Sequence, residues 1–178
     1  MINEEEWLIQ QAQQGDHNAL AKLFQQHYSY LMKYLLKLTF NKELAEDLTQ
    51  ATMLKAMEKI KLYDQQRSAF SSWLITIASR LYIDHLRRNK KSIHSIESQH
   101  SSRNLQWQLA NQAIDWSMML DSLHALQEDV RTAIVLKYYY GYGQDEIASI
   151  LNVPIGTVKS KIFYGLQKLR KELSTDDI

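Results

Sequence analysis

The chain contains no cysteine, which excludes a disulfide framework, thiolate metal sites and a thiol nucleophile, and fits a reducing compartment. No window approaches the roughly 18 uninterrupted apolar residues that cross a bilayer. The opening residues MINEEEWLIQ are acidic where an export signal would be basic and then apolar. A cytoplasmic location without membrane insertion is the expectation. There is no P-loop and no glycine-rich dinucleotide fingerprint, and the six histidines fall without metal-ligand spacing. His17, His27 and His124 read as surface or boundary residues, and no catalytic residue, metal or cofactor is expected. Only one proline and five glycines occur in 178 residues, so each of them stands out as punctuation.

What remains is a helical text. With 45% hydrophobic residues the chain has ample material for one domain or two small ones. Leu20, Leu23, Phe24, Tyr28, Leu31, Leu35 and Leu38 recur at spacings of three and four, predicting a long core helix after a cap at Asn18. A turn near Asn41 starts a second helix, whose apolar residues become nearly circumferential from Ala51 onward, as for a helix packed on several sides. Phe70, Trp73, Leu74, Ile77 and Leu81 make a third stripe. Ile83 and Leu86 lie off that stripe, so this helix either ends early or meets a second apolar surface. From about Asn89 to Gln108 no period survives and Ser, His, Asn and Gln dominate, which reads as a linker. Helical pattern then returns. The expected architecture is all-α: two small helical domains, over residues 1–91 and 110–178, joined by a flexible linker over 92–109.

Charge follows the same division. Residues 51–91 carry nine basic and three acidic side chains, whereas residues 92–130 carry one and five. Local contact surfaces separated by acidic ground fit this pattern better than a uniformly nucleic-acid-binding surface, although solvated helices with scattered charge would show it too.

The single proline sits in GYGQDEIASILNVPIGTVKSKIFYGLQKLRK. Gly143 suits an N-cap with Glu146 near the third helical position, Asn152 tolerates the left-handed conformation that ends a helix, and Pro154 suits the start of the next. Two short helices joined by a tight turn result. With Val158, Ile162, Leu166 and Leu169 turned inward, the outward arc holds Thr157, Ser160, Phe163, Tyr164 and Gln167, flanked by Lys159 and Lys161. Such an arc fits a DNA major groove; the alternative is an ordinary helical hairpin with solvated lysines, against which exposed Phe and Tyr beside Lys argue.

Three stretches in order, ELAEDLTQATMLKAMEKI, FSSWLITIASRLYIDHLRRNKK and LQEDVRTAIVLKYYYGYGQDEIASILNVPIGTVKSKIFYGLQKLRKEL, resemble a bacterial extracytoplasmic-function (ECF, group 4) sigma factor, reduced to the second and fourth conserved regions. The resemblance implies a protein that binds core RNA polymerase, through the β′ clamp helices and the β subunit, and directs it to promoter DNA. It also implies an anti-sigma partner, which the family often has and which no residue here identifies. Asp47, Gln50 and Leu54, along one helical side, are the implied clamp contacts. For the −10 element it implies the loop residues Tyr63 and Arg67, then Ser79 and Arg80 at the matching helix positions, with Arg87, Arg88, Lys90 and Lys91 as a phosphate clamp. The arc from Thr157 to Gln167 is implied to read the −35 element. By the same resemblance the linker passes the polymerase's RNA exit region, with Leu105, Trp107 and Leu109 as anchors or a backward extension of the next helix.

Trp73 reads as core, and Tyr138, Tyr139 and Tyr140 as packing residues with outward polar tips. Three departures from the family pattern stand out: Leu126 is followed by Gln127 where Leu-Pro is common, Arg80 replaces a smaller polar residue, and Tyr164 stands where a basic residue often meets DNA. Other readings are a stand-alone dimeric operator-binding regulator, which would need a sensor or dimerisation domain, and an RNA-binding helical module, which would not need the third stretch. An enzyme fits least well.

Overall fold

The structure, a computed structural model, describes residues 3–92 and 121–173. Every regular element among them is helical. Helix α1 (Glu4–Gln13) starts at Asn3 in a capping box with Glu6. Helix α2 (His17–Thr39) is capped by Asp16, not Asn18: the Asp16 carboxylate accepts the N–H groups of Asn18 at 2.8 Å and Ala19 at 3.2 Å, adding negative charge at the positive end of the helix dipole. Asn41 caps α3 (Lys42–Lys59) by accepting from the Leu44 N–H at 3.0 Å. A 3₁₀ turn (Ile60–Leu62) and a loop over 63–69 lead into α4 (Phe70–Ser92). These helices pack through the buried side chains of Leu23, Leu31, Tyr34, Leu35, Leu38, Phe70, Leu74 and Ala78, each large apolar one contributing about 1.5–3 kcal/mol.

The described part of the second unit opens on helical residues 121–124. Helix α5 (Glu128–Ile134) follows and widens into a π-helical turn (Val135–Tyr139); then come α6 (Gln144–Leu151) and α7 (Ile155–Leu173). The turn between α6 and α7 forms as its residues dictate. Asn152 is left-handed at φ 52°, the Val153 N–H reaches the Ala148 carbonyl at 3.1 Å, and the Thr157 N–H bonds the carbonyl of Pro154 at 2.9 Å. Glu146 accepts from the Gly143 N–H at 2.6 Å. Gly165 sets the crossing of α7 over α5, because a Cβ there would lie 2.8 Å from Val130 Cγ1 and 3.0 Å from Ile134 Cγ1.

The two units do not hang apart; they share one contiguous core, with α4 against α6 and α2 against α5. This accounts for Ile83 and Leu86, which are buried although off the main stripe: α4 continues and Ile83 lines a cleft with Leu151 of α6. Tyr140 packs edge-on against Tyr34 and Tyr30, with ring centroids at 5.1 and 5.7 Å. The Leu38 carbonyl at the end of α2 accepts from the Tyr82 hydroxyl at 3.0 Å and from Arg131 Nη1 at 2.5 Å. Arg131 also lies 4.7 Å from the centroid of the Phe40 ring, and Phe40 in turn meets His124. Apart from Ser92, the expected linker with Leu105, Trp107 and Leu109 lies outside the described residues, as do 110–120.

Candidate nucleic-acid and protein interfaces

Helix α3 turns Ala45, Leu48, Thr49, Thr52 and Ala56 inward. Its opposite side carries Asp47 and Gln50, both exposed, then Leu54 at 58% and Met57 at 42% exposure. The near-circumferential apolar pattern therefore does not mean that α3 is packed on all sides within this chain. Two large apolar side chains one turn apart, next to an acid and an amide, form a strip suited to a protein partner. Met57 belongs to that strip and the sequence pattern contained it, three residues beyond Leu54.

The loop over 63–69 is tightly built, and one expected DNA contact is absorbed in building it. Tyr63 is 6% exposed, its ring set against Phe70 and Trp73 at 5.2 and 5.0 Å and its hydroxyl donating to the Ser68 carbonyl at 2.8 Å. Burial pushes its pKa up to about 12. It cannot offer its face to a base in this arrangement; the ring holds the loop instead. Arg67, paired with Asp64 at 3.3 Å, keeps its side chain 86% exposed, and Leu62 at the loop entrance is 79% exposed.

Along α4, Ser79 is wholly buried, its hydroxyl donating to the Ile75 carbonyl and hydrogen-bonded to the Tyr34 hydroxyl, each at 2.6 Å. The expectation that Ser79 meets DNA is corrected on that ground. Arg80 is at the surface, but its guanidinium donates to the carbonyls of Ile150 and Ser149, both at 3.2 Å, at the end of α6. The clamp residues Arg87 and Arg88 are exposed, Arg87 beside Asp84 at 3.6 Å. Lys90 and Lys91 continue the helix, and their side chains lie beyond those described.

On α7 the outward arc is real. Phe163 and Tyr164 are 58% and 64% exposed, edge to face at 5.5 Å, with Lys159, Ser160 and Gln167 exposed around them and Thr157 half-buried. Lys161 departs from the expected phosphate role: it reaches back to pair with Asp129, and both side chains are largely covered. Val158 and Ile162 are buried behind the arc, with Leu166 and Leu169 packed against the core.

The sequence reading missed Arg131, although a lone charge inside the apolar run of VRTAIVL was a signal. It is 5% exposed and donates to the carbonyls of Leu123, His124 and Leu126 as well as Leu38. Lys37, 5% exposed, sits 4.3 Å from the centroid of the Tyr139 ring; desolvation and then the charge of Lys33 lower its pKa to about 8. Tyr138 and Tyr139 are exposed, whereas Tyr140 packs between the units. Among the described residues no group of three or more His, Asp and Glu gathers where a metal could bind, and no helix is long and apolar enough to cross a membrane.

A helix-turn-helix with an exposed aromatic arc, joined to a helical bundle with a basic helix end and an apolar strip, has surfaces suited to a DNA-binding protein that also docks onto another protein. Residues 23–92 match the family described as Sigma-70 region 2, and residues 117–169 match Sigma-70, region 4. The chain is 30% identical to the ECF RNA polymerase sigma factor SigW of Bacillus subtilis, over 93% of this chain and 94% of that protein. It is also 30% identical to SigL, an ECF RNA polymerase sigma factor of Mycobacterium tuberculosis, over 85% of this chain and 86% of the relative. In fold it resembles the sigma factor RpoE of Bartonella quintana, solved in complex with the anti-sigma factor NepR, with a TM-score of 0.64 and 23% identity over 88% of this chain and 97% of that one. The chain belongs to the sigma-70 family of RNA polymerase sigma factors and is of the ECF type.

Proposed function

We infer that this sigma factor works through three separate surfaces, as a group 4 member acting in the cytoplasm without catalytic activity of its own. Residues 1–91 hold core polymerase through Asp47, Gln50, Leu54 and Met57, and meet the −10 strand through Leu62, Arg67, Arg87 and Arg88. Residues 110–178 read the −35 duplex with Ser160, Phe163, Tyr164 and Gln167, while Lys159 contacts phosphate. Residues 92–109 join the two. The observation that carries this reading is the pairing of an exposed apolar strip on α3 with an outward aromatic arc on α7 in one chain. An anti-sigma factor that holds the chain inactive fits the complex in which the Bartonella relative was solved.

The packed arrangement must open for this work. The −10 and −35 elements are separated, as their names say, by about 25 base pairs, or roughly 85 Å at 3.4 Å per pair. A compact body of this chain length is only about 40 Å across. Polymerase binding then places both domains, and the second engages at a high local concentration, raising avidity by roughly 10² to 10⁴.

The test is association of the purified chain with core polymerase in the absence of DNA. Wild type should co-elute with core, whereas Asp47→Ala with Gln50→Ala should weaken the complex by about 1–3 kcal/mol at unchanged helix content. Tight, sequence-specific operator binding by the free chain with no core association would overturn this reading in favour of a stand-alone regulator.

A further inference from the structure

Helix α1 lies outside the region 2 match, which begins at residue 23, yet its last residue is hydrogen-bonded to the turn that leads into the loop on which the −10 reading depends. The Gln13 side-chain amide donates to two backbone carbonyls across almost fifty residues of sequence: Ile60 at 3.1 Å and Tyr63 at 2.8 Å. Those carbonyls flank Lys61 and Leu62, so one amide clamps both ends of the 3₁₀ turn. The Tyr63 N–H also returns to the Ile60 carbonyl at 3.1 Å, which closes the turn and leaves the Leu62 side chain outside it. Beyond the turn the loop is fastened three more times. The Tyr63 hydroxyl donates to Ser68, the Gln66 N–H donates to Asp64 Oδ1 at 2.9 Å, and the Arg67 N–H donates to the Asp64 carbonyl at 3.2 Å. Helix α1 itself is tied down by Glu5, bonded to His27 at 3.2 Å, and the His27 ring stands edge-on to Phe70 at 5.1 Å.

We propose that Gln13 is a positioning residue for −10 recognition: by clamping the Ile60 and Tyr63 carbonyls it holds Leu62 and Arg67 out to receive unpaired promoter bases. Unstacked bases are captured by apolar and π-faced surfaces, and apolar wedges such as Leu hold opened steps. A surface set before the strand arrives spends less binding energy on ordering itself than one that must be ordered by it. Leu62 is 79% exposed, so its direction depends on the backbone that Gln13 holds. The proposal rests on the reading of this loop as the −10 surface.

The experiment uses full-length chain reconstituted with core polymerase. Wild-type holoenzyme first selects promoters from a duplex pool randomised across both elements, and the selected promoter then serves to compare Gln13→Ala, Leu62→Ala, Arg67→Ala and the Gln13→Ala, Leu62→Ala double variant by permanganate reactivity and by binding of the unpaired −10 strand. Gln13→Ala and Leu62→Ala should each lower −10 strand binding about three- to tenfold, flatten the base preference at the same −10 positions, and leave core binding and −35 preference unchanged. The double variant should bind about as weakly as Gln13→Ala alone, because Gln13→Ala already misplaces Leu62. If Leu62→Ala and Arg67→Ala leave −10 binding unchanged, the loop is not the −10 surface and both readings fall. If those two variants weaken −10 binding while Gln13→Ala leaves the base preference intact, or merely lowers thermal stability and core binding together, the clamp alone is refuted.

Discussion

Replacing Arg131 by Met keeps most of the side chain's apolar length and removes one donor from each of four carbonyls, of which Leu38 keeps the Tyr82 hydroxyl and Leu123 the Leu126 N–H. Those of Leu123, His124 and Leu126 belong to the turn before α5, where helix-end carbonyls need partners, and the fourth is Leu38 at the end of α2. The distances are 2.9, 3.0, 3.0 and 2.5 Å respectively. Hydrogen bonds from a charged donor contribute about 1.5–3 kcal/mol each, and desolvating the guanidinium costs several kcal/mol in the opposite direction. The stacking on Phe40 adds about 1 kcal/mol. A net loss of about 3–5 kcal/mol is expected, equivalent to a fall in Tm of roughly 6–20 °C for a chain of this size. Arg131→Lys should recover only a minor part, since an ammonium cannot reproduce the planar fork that reaches carbonyls on several sides. Urea unfolding followed by circular dichroism measures the difference. A loss below about 1 kcal/mol for Arg131→Met would refute the claim that this guanidinium organises the join between the two units.

Arg80→Ala removes the two donors from Ser149 and Ile150, and because the guanidinium is solvent-exposed the effect is modest, about 0.5–1.5 kcal/mol. The open fraction should rise about two- to twelvefold, read by single-molecule energy transfer between dyes on cysteines introduced into this cysteine-free chain, one per domain; an unchanged distance distribution would mean that α4 and α6 are held together by other contacts. Lys37 should make stability rise with pH between about 8 and 10.5: its folded pKa is depressed, so over that window the unfolded chain binds more protons and the cost of burying the charge is relieved as the proton leaves. Lys37→Met should be more stable at pH 7 and lose that rise in urea titrations. Above pH 10 the tyrosines act in the opposite sense, because desolvation raises Tyr30 and Tyr63 to about 12 while unfolded tyrosine ionises near 10; the stability they hold at lower pH should drain away as pH rises through 10 to 12.

Helix positions, the tight turn and the outward arc of α7 were legible in the sequence because each depends on residues within one or two turns of each other. Asn152, Pro154 and the Gly143–Glu146 cap act locally, and periodicity alone turns Val158 and Ile162 inward and Phe163 and Tyr164 outward. Tertiary structure decided which of the residues facing away from a stripe remain available. Tyr34 takes Ser79 across 45 residues, Asp129 takes Lys161 across 32, and α6 takes Arg80 across about 70. Tyr63 is withdrawn into the cluster of Phe70 and Trp73, while Leu54 and Met57 are left at the surface of a helix whose periodicity reads as packed on several sides. A helical period records which side of a helix is apolar, but not whether the covering surface belongs to the same chain, to a second domain or to another protein. That choice is made only when distant side chains compete for the same buried hydrogen-bonding groups, and here the carbonyls at the ends of α2 and α6 draw in Arg131, which local spacing left unassigned, and Arg80, which the family resemblance assigned to DNA.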